Sequence, residues 1–205
     1  MSGPECCTNP PVMNSSFGNG SVEEIGGLKS YSTGDRSSNH GILVGSDAFG
    51  YEGVMLRKLA DKISSLGYLV VVPDFFFGDC IYITSPPEVR ADWLINHSPE
   101  KGCENAWKII GELKRKGVYA VGAAGFCWGG MMVAKLAKYN EIKAAVILYP
   151  CRFTDNDVNG LFLLDVVESY VKIFLGVGHG WASRYSENDE SAVRSAEEAH
   201  YDMLN

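Results

Sequence analysis

The sequence predicts an α/β fold, a mostly parallel sheet with helices on both faces in a three-layer sandwich. Three observations carry this. Short apolar runs alternate with segments of helical period from Gly41 to the C-terminus. Most of those runs are continuously apolar rather than alternating, the mark of strands buried on both faces. Three unusual segments, 46–50, 125–130 and 176–184, each follow the end of such a run. That is where ligands bind in open parallel sheets.

The elements follow in order. Residues 1–20 are rich in Pro, Gly, Asn, Ser and Cys and read as a flexible arm before a single domain over 21–205. Two strand-like pieces around Gly26-Gly27 form a hairpin within 21–33. Residues 41–45 are a buried strand ending at Ser46-Asp47. A helix over 53–66 places Met55, Leu56, Leu59, Ile63 and Leu66 on one face, and Gly67 stops it. Residues 69–72 are a second buried strand, closed by Pro73-Asp74. The stretch 75–99 is irregular, with a helical piece near 88–95. A helix over 104–116 ends at Gly117, and 118–123 is strand-like. The segment Gly125-Phe126-Cys127-Trp128-Gly129-Gly130 leads into a helix over 131–139. Residues 144–148 and 170–175 read as further strands, and 189–204 as a terminal amphipathic helix.

Composition narrows the function. The 205 residues carry 18 Lys+Arg against 25 Asp+Glu, a formal charge of −7, with no densely basic stretch. A nucleic-acid or anionic-membrane surface is therefore not expected. No apolar run approaches the ~20 residues of a membrane span. The first residues have neither a basic nor an apolar leader region, so the expected location is cytoplasmic. The six cysteines form no CxxC pair and no zinc or disulfide spacing, so free thiols, no metal and no cofactor are expected. The expected partner is a small-molecule substrate, and the chain is expected to be a monomer.

Gly125-x-Cys127-x-Gly129 lies at a strand-to-helix junction. It has the spacing of a nucleophile elbow, with sulfur in place of oxygen. The tight turn needs small flanking residues, and the following helix points its positive end at the thiol, favouring thiolate. The backbone N–H of Trp128 would face a developing oxyanion. The competing reading is a buried cysteine among glycines needed only for packing. His179 follows the 170–175 run in the last loop before the terminal helix, where the order nucleophile, acid, histidine puts the base. The alternative is a histidine that caps a turn. His40, His97 and His200 have no comparable place. Arg184 either meets an anionic substrate or is a solvated surface residue. Ala48 is the candidate for the second oxyanion N–H. Asp47 either contacts the resting thiol or is an ordinary turn residue.

Four segments together resemble the dienelactone hydrolase family, carboxymethylenebutenolidase-like α/β-hydrolases, and most closely its plant-type branch. They are Asp47-Ala48-Phe49-Gly50-Tyr51-Glu52, Val72-Pro73-Asp74-Phe75-Phe76, Gly125-Phe126-Cys127-Trp128-Gly129-Gly130 and His179-Gly180-Trp181. Some members of that branch carry an endo-1,3;1,4-β-glucanase label. The resemblance implies an α/β-hydrolase fold and cofactor-free hydrolysis of esters or lactones in the cytosol. It implies Cys127 as nucleophile, His179 as base, and Ala48 and Trp128 as oxyanion donors. Asp47 stands where the family often has a Glu that restrains the resting cysteine.

The chain departs from that pattern in one place. The family's third catalytic member is an Asp between nucleophile and histidine, followed by a helix and a strand. Only about 50 residues separate Cys127 from His179 here, roughly one strand-helix unit too few. Asp165 would sit at the wrong end of a 170–175 strand, roughly 20 Å from His179. Asp155 and Asp157 follow the carboxyl end of the 144–148 strand and are better placed, although an Asp-Asn-Asp stretch is also an ordinary polar turn. An alternative transcript of a longer hydrolase would leave such a gap.

Three functions follow as expectations. The first is a cysteine hydrolase of a small ester, lactone or thioester, working through a Cys127–His179 acyl-enzyme and slowed by the absent Asp. The second is a non-catalytic or truncated homologue that binds a ligand or partner in the same cleft. The third is a β-glucanase, which needs two flanking carboxyl groups. Asp47, Glu52 and Asp74 are available for that, but their spacing selects no pair.

Overall fold

The computed structural model describes residues 9–81, 85–151, 154, 157 and 170–204. In chain order the elements are β1 (Ser21–Ile25), β2 (Leu28–Thr33), β3 (His40–Gly45), α1 (Val54–Ser64), β4 (Leu69–Pro73), α2 (Pro87–Asn96) and α3 (Pro99–Arg115). They continue with β5 (Ala120–Phe126), α4 (Trp128–Leu136), β6 (Ala144–Leu148) and α5 (Glu190–Leu204). Among the described residues six strands form one sheet in the order β1-β2-β4-β3-β5-β6. β1 and β2 are an antiparallel hairpin, and β2 joins β4 antiparallel. The run β4-β3-β5-β6 is parallel. The fold is thus the expected α/β-hydrolase class, a mostly parallel sheet with helices packed on it.

Strand periodicity explains the layers. Along β4, Val71 faces one apolar cluster while Val70 and Val72 face the other. Leu43 and Val44 of β3, and Ala123 and Ala124 of β5, divide in the same way. Successive side chains leave a strand on opposite faces, so a continuously apolar strand is what two covered faces require. One cluster is closed by Cys103, Ala106, Ile109, Ile110 and Leu113 of α3 and by Met132, Val133 and Leu136 of α4. The other is closed by Leu56, Leu59, Ala60 and Ile63 of α1, the i, i+3, i+4, i+7 face of an amphipathic helix.

The structure moves several expected boundaries. α3 begins at Pro99 because Ser98 caps it, accepting from Lys101 N, and proline suits the first helical position. β5 runs to Phe126, so the turn after it is a single residue, Cys127. Residues 9–20, expected as part of a loose arm, are tied to the body. Val54 N donates to Val12 O (2.9 Å), and Arg57 Nη1 donates to the carbonyls of Ser15 and Phe17.

The largest correction concerns residues 170–175. They form no strand. Val171 is 87% and Leu175 90% exposed, while Phe174 packs on Trp181 with ring centroids 4.5 Å apart. Lys172 pairs with Glu198 and Asp202 of α5, each at 2.7 Å. The β-forming residue types are present, but a strand exists only where a neighbour supplies its ladder. Among the described residues β6 is the last strand of the sheet, and its Ala144 and Ala145 are exposed.

Candidate active site

Three strand ends meet at the carboxyl edge of the sheet, and each places one side chain there: Asp47 beyond β3, Cys127 beyond β5 and Tyr149 beyond β6. Cys127 has φ 53° and ψ −108°, a conformation few residues with a Cβ adopt. Its N–H donates to Leu148 O (3.2 Å), and its carbonyl accepts from Cys151 N (3.2 Å) and Met131 N (3.3 Å). α4 starts at the next residue, so the positive end of the helix faces the elbow.

Close packing makes the elbow. A Cβ on Gly125 would lie 2.2 Å from Gly129 O, and one on Gly129 would lie 2.1 Å from Gly45 O. Gly129 N donates to Ser46 O (2.9 Å), stitching α4 to the end of β3. The glycines are therefore needed for packing, and that packing fixes the bend on which Cys127 sits. The two readings of the motif describe one arrangement.

Asp47 is an ordinary turn residue on one side and an ion-pair partner on the other. Its Oδ1 accepts from Phe49 N (2.9 Å), and its backbone carbonyl accepts from Gly50 N (3.1 Å). Its Oδ2 lies 3.3 Å from Arg184 Nε, with both side chains buried. Arg184 is thus no solvated surface arginine, and its guanidinium also lies 5.2 Å from the centre of the Phe49 ring. The approach needs glycine at 180, which has φ +90° and whose Cβ would fall 2.1 Å from Arg184 Nε.

His179 opens the turn that carries Arg184. Trp181 N donates to Gly178 O, and Ser183 N and Arg184 N both donate to Gly180 O. The His179 ring stands 5.0 Å from the Tyr149 ring at 73°. The Tyr149 hydroxyl hydrogen-bonds Ser183 Oγ. Burial pushes the Tyr149 phenol well above its ordinary value, and the Asp47 charge raises it further. Ser183 and Arg184 pull it down, while Cys127 adds to the rise. Tyr149 therefore has contact or electrostatic ties to Cys127, His179, Asp47 and Arg184.

Among the described residues no carboxylate pairs with His179, and its Nε2 is buried without a hydrogen-bond partner. Asp157 is committed elsewhere: Oδ2 accepts from Thr154 N (3.0 Å) and Oγ1 (2.6 Å), and Oδ1 lies 3.8 Å from Lys135 of α4. The polar-turn reading holds for it. Asp155 and Asp165 lie outside the described residues.

Ala48 and Trp128 are both buried beside the elbow. Ala48 O accepts from Ile81 N (3.0 Å), and the Trp128 indole donates to His97 O (2.7 Å). Asp74 Oδ1 accepts from Phe76 N (3.2 Å), and burial raises its carboxyl, helped by the Glu52 charge. Burial pushes the Cys80 and Cys103 thiols up to about 12, so both stay protonated at neutral pH. A cavity of about 450 Å³ opens beside Trp128, lined by Leu94, Met131, Lys135, Cys151 and Asp157 among others. Neither Cys127 nor His179 lines it. Among the described residues no cluster of three His, Cys, Asp or Glu side chains is arranged to hold a metal ion, and no helix is long and apolar enough to cross a membrane.

Sequence reasoning missed two residues. Tyr149 has a positive φ of 36° immediately after β6, and its place at a strand end was the available signal. His200, set aside as a helix residue, is buried with Nε2 2.7 Å from Ala182 O, holding the His179 turn from behind. Nothing in its spacing from residue 182 announces that contact.

Comparison with known proteins agrees with this frame. The model of the dienelactone hydrolase family matches residues 28–161. An endo-1,3;1,4-beta-D-glucanase of Zea mays is 38% identical over 133 residues, 65% of this chain and 43% of that protein. The human carboxymethylenebutenolidase homolog is 31% identical over 178 residues, covering 72% of each chain. The chain spans under half the length of the maize protein and of a hydrolase of Aspergillus violaceofuscus (48%). The fold matches a Klebsiella pneumoniae structure described as a dienelactone hydrolase, with TM-score 0.65, 17% identity and coverage of 86% of this chain and 91% of that one. It also matches a dienelactone hydrolase-like phosphotriesterase from metagenomic libraries, with TM-score 0.51, 16% identity and coverage of 70% and 64%. Family model, relatives and fold converge: the chain belongs to the dienelactone hydrolase family, a family of hydrolases.

Proposed function

We propose that this chain hydrolyses a small ester, lactone or thioester through a Cys127 acyl-enzyme with His179 as the proton carrier. The observation that carries this reading is the elbow. A cysteine in a left-handed conformation stands at the N-terminus of α4, at the carboxyl edge of a parallel sheet. The helix end favours the thiolate there. His179 takes the thiol proton, and the sulfur attacks the acyl carbon. The backbone N–H groups of Trp128 and Ala48 hold the developing oxyanion. The alcohol or thiol leaves with the proton from His179, and a water activated by the same imidazole releases the acid. Asp47 and Arg184 fix each other at the mouth of the elbow, and Arg184 is the group that would meet an anionic acyl portion. A cytoplasmic monomer without a cofactor fits this chemistry.

A second reading, a homologue that binds a ligand without turnover, is favoured by the absence of a carboxylate beside His179 among the described residues. The name of the maize relative raises a third, glucan hydrolysis through carboxylates, and Asp47 is already engaged with Arg184.

Short-chain p-nitrophenyl esters and β-1,3;1,4-glucan test all three. Ester turnover is expected to fall to the buffer rate in Cys127→Ala and by about 10²–10⁴-fold in His179→Ala. Intact mass should show one acyl group on Cys127 before steady state. Ligand binding without any acyl adduct would favour the second reading, and glucan cleavage that survives Cys127→Ala would favour the third.

A further inference from the structure

We propose that Tyr149 is the positioning residue for His179, fixing the orientation of the imidazole from the end of β6. The inference rests on the Cys127–His179 reading and extends it. Tyr149 combines four features that a filler residue does not need. Its backbone has a positive φ of 36°, a conformation that costs free energy in a residue with a Cβ. Its ring meets His179 edge to face at 5.0 Å, an arrangement aromatic rings prefer. Its hydroxyl bonds Ser183 Oγ, on the same turn as His179. It directly follows Leu148, whose carbonyl accepts from Cys127 N. One side chain thus joins the end of β6, the strand next to the elbow, to the histidine turn at two points. Phe126, the last residue of β5, packs behind it at 6.0 Å.

The 170–175 segment cannot supply this positioning, because it is not in the sheet. The turn is held by His200 from one side, by Arg184 on Asp47, and by Tyr149 on the side of the imidazole. Tyr149 is the one whose ring meets the His179 imidazole edge to face. Its ring limits the plane of the imidazole, and its bond to Ser183 limits how far the turn can swing.

The test is the pH profile of Cys127 alkylation by iodoacetamide, read by peptide mass, in the wild type and in His179→Ala, Tyr149→Phe and Tyr149→Leu. The wild type should show an inflection that His179→Ala abolishes. Tyr149→Leu should lower the neutral-pH rate about tenfold and displace the inflection, since correct placement is what makes a base effective. Tyr149→Phe keeps the ring and should restore the wild-type inflection with at most a two- to threefold loss. Should the Leu variant fail to fold, Ser183→Ala, which frees the tip of the ring, is expected to lose two- to threefold on its own. A wild-type profile in Tyr149→Leu, or in Ser183→Ala if Leu does not fold, overturns the role of Tyr149 and leaves the Cys–His reading standing. A wild-type profile in His179→Ala overturns that reading and the inference with it.

Discussion

Cys127 keeps its left-handed backbone because Gly125 and Gly129 let β3, β5 and α4 approach more closely than any side chain would allow. Gly129→Ala is the sharpest local probe, since its Cβ would meet the backbone of Gly45 at 2.1 Å. It is expected to destabilise the fold by about 1–3 kcal/mol or more, measured by urea unfolding, and to slow Cys127 labelling in the fraction that folds. The Asp47–Arg184 pair gives a second residue-scale prediction. Both side chains are buried, so Arg184→Met should cost about 3–5 kcal/mol, because it leaves the carboxylate without its cation. Adding Asp47→Asn should recover part of that loss, a non-additivity that a double-mutant cycle measures. Cys127 and its glycines were legible because the motif is local. The Asp47–Arg184 pair, Tyr149 on His179 and His200 on Ala182 were not, because each joins residues far apart in the chain that share no spacing rule.

At the scale of elements, apolar period identified most of the fold. β3, β4 and β6 are continuous apolar runs, and α1 and α3 show the one-sided stripe of a helix packed on a sheet. The failure at 170–175 has a physical cause. Local composition reports β propensity, but a strand also needs a partner edge, and partnership is a property of the whole sheet. The exposed state of this segment is testable. Val171→Lys and Ile173→Lys should each change stability by less than about 0.5 kcal/mol, as surface substitutions do. A loss near 2 kcal/mol for either in urea unfolding would mean the segment is packed against the protein.

For the molecule as a whole, the turn that carries His179 depends on α5, and so on the charge of His200. Burial holds the His200 imidazole below its ordinary value of 6.5, against the opposing pull of its bond to Ala182 O. The unfolded chain then binds a proton more readily than the folded one. This contribution to stability is complete above pH ~6.5 and is lost as pH falls below it, so unfolding free energy should drop between pH ~7 and ~5. His200→Gln can still donate to Ala182 O but does not titrate, and it should flatten that part of the urea-unfolding profile. The alternation of strands and helices made the fold class readable from the sequence, and with it the sheet edge at which the candidate site is proposed. How the chain closes over that edge after β6 was not readable, because it depends on which long-range contacts win.

The proposed chemistry requires a thiol at the end of β5 and an imidazole carried on a turn from the C-terminal part of the chain to face each other. Cross-linking with 1,3-dibromoacetone, a three-carbon reagent that bridges only adjacent nucleophiles, tests this most directly when combined with peptide mapping. One intramolecular bridge is expected, between Cys127 and His179, absent in either alanine variant. Alkylation of Cys127 alone, or a bridge from it to any other residue, would contradict it.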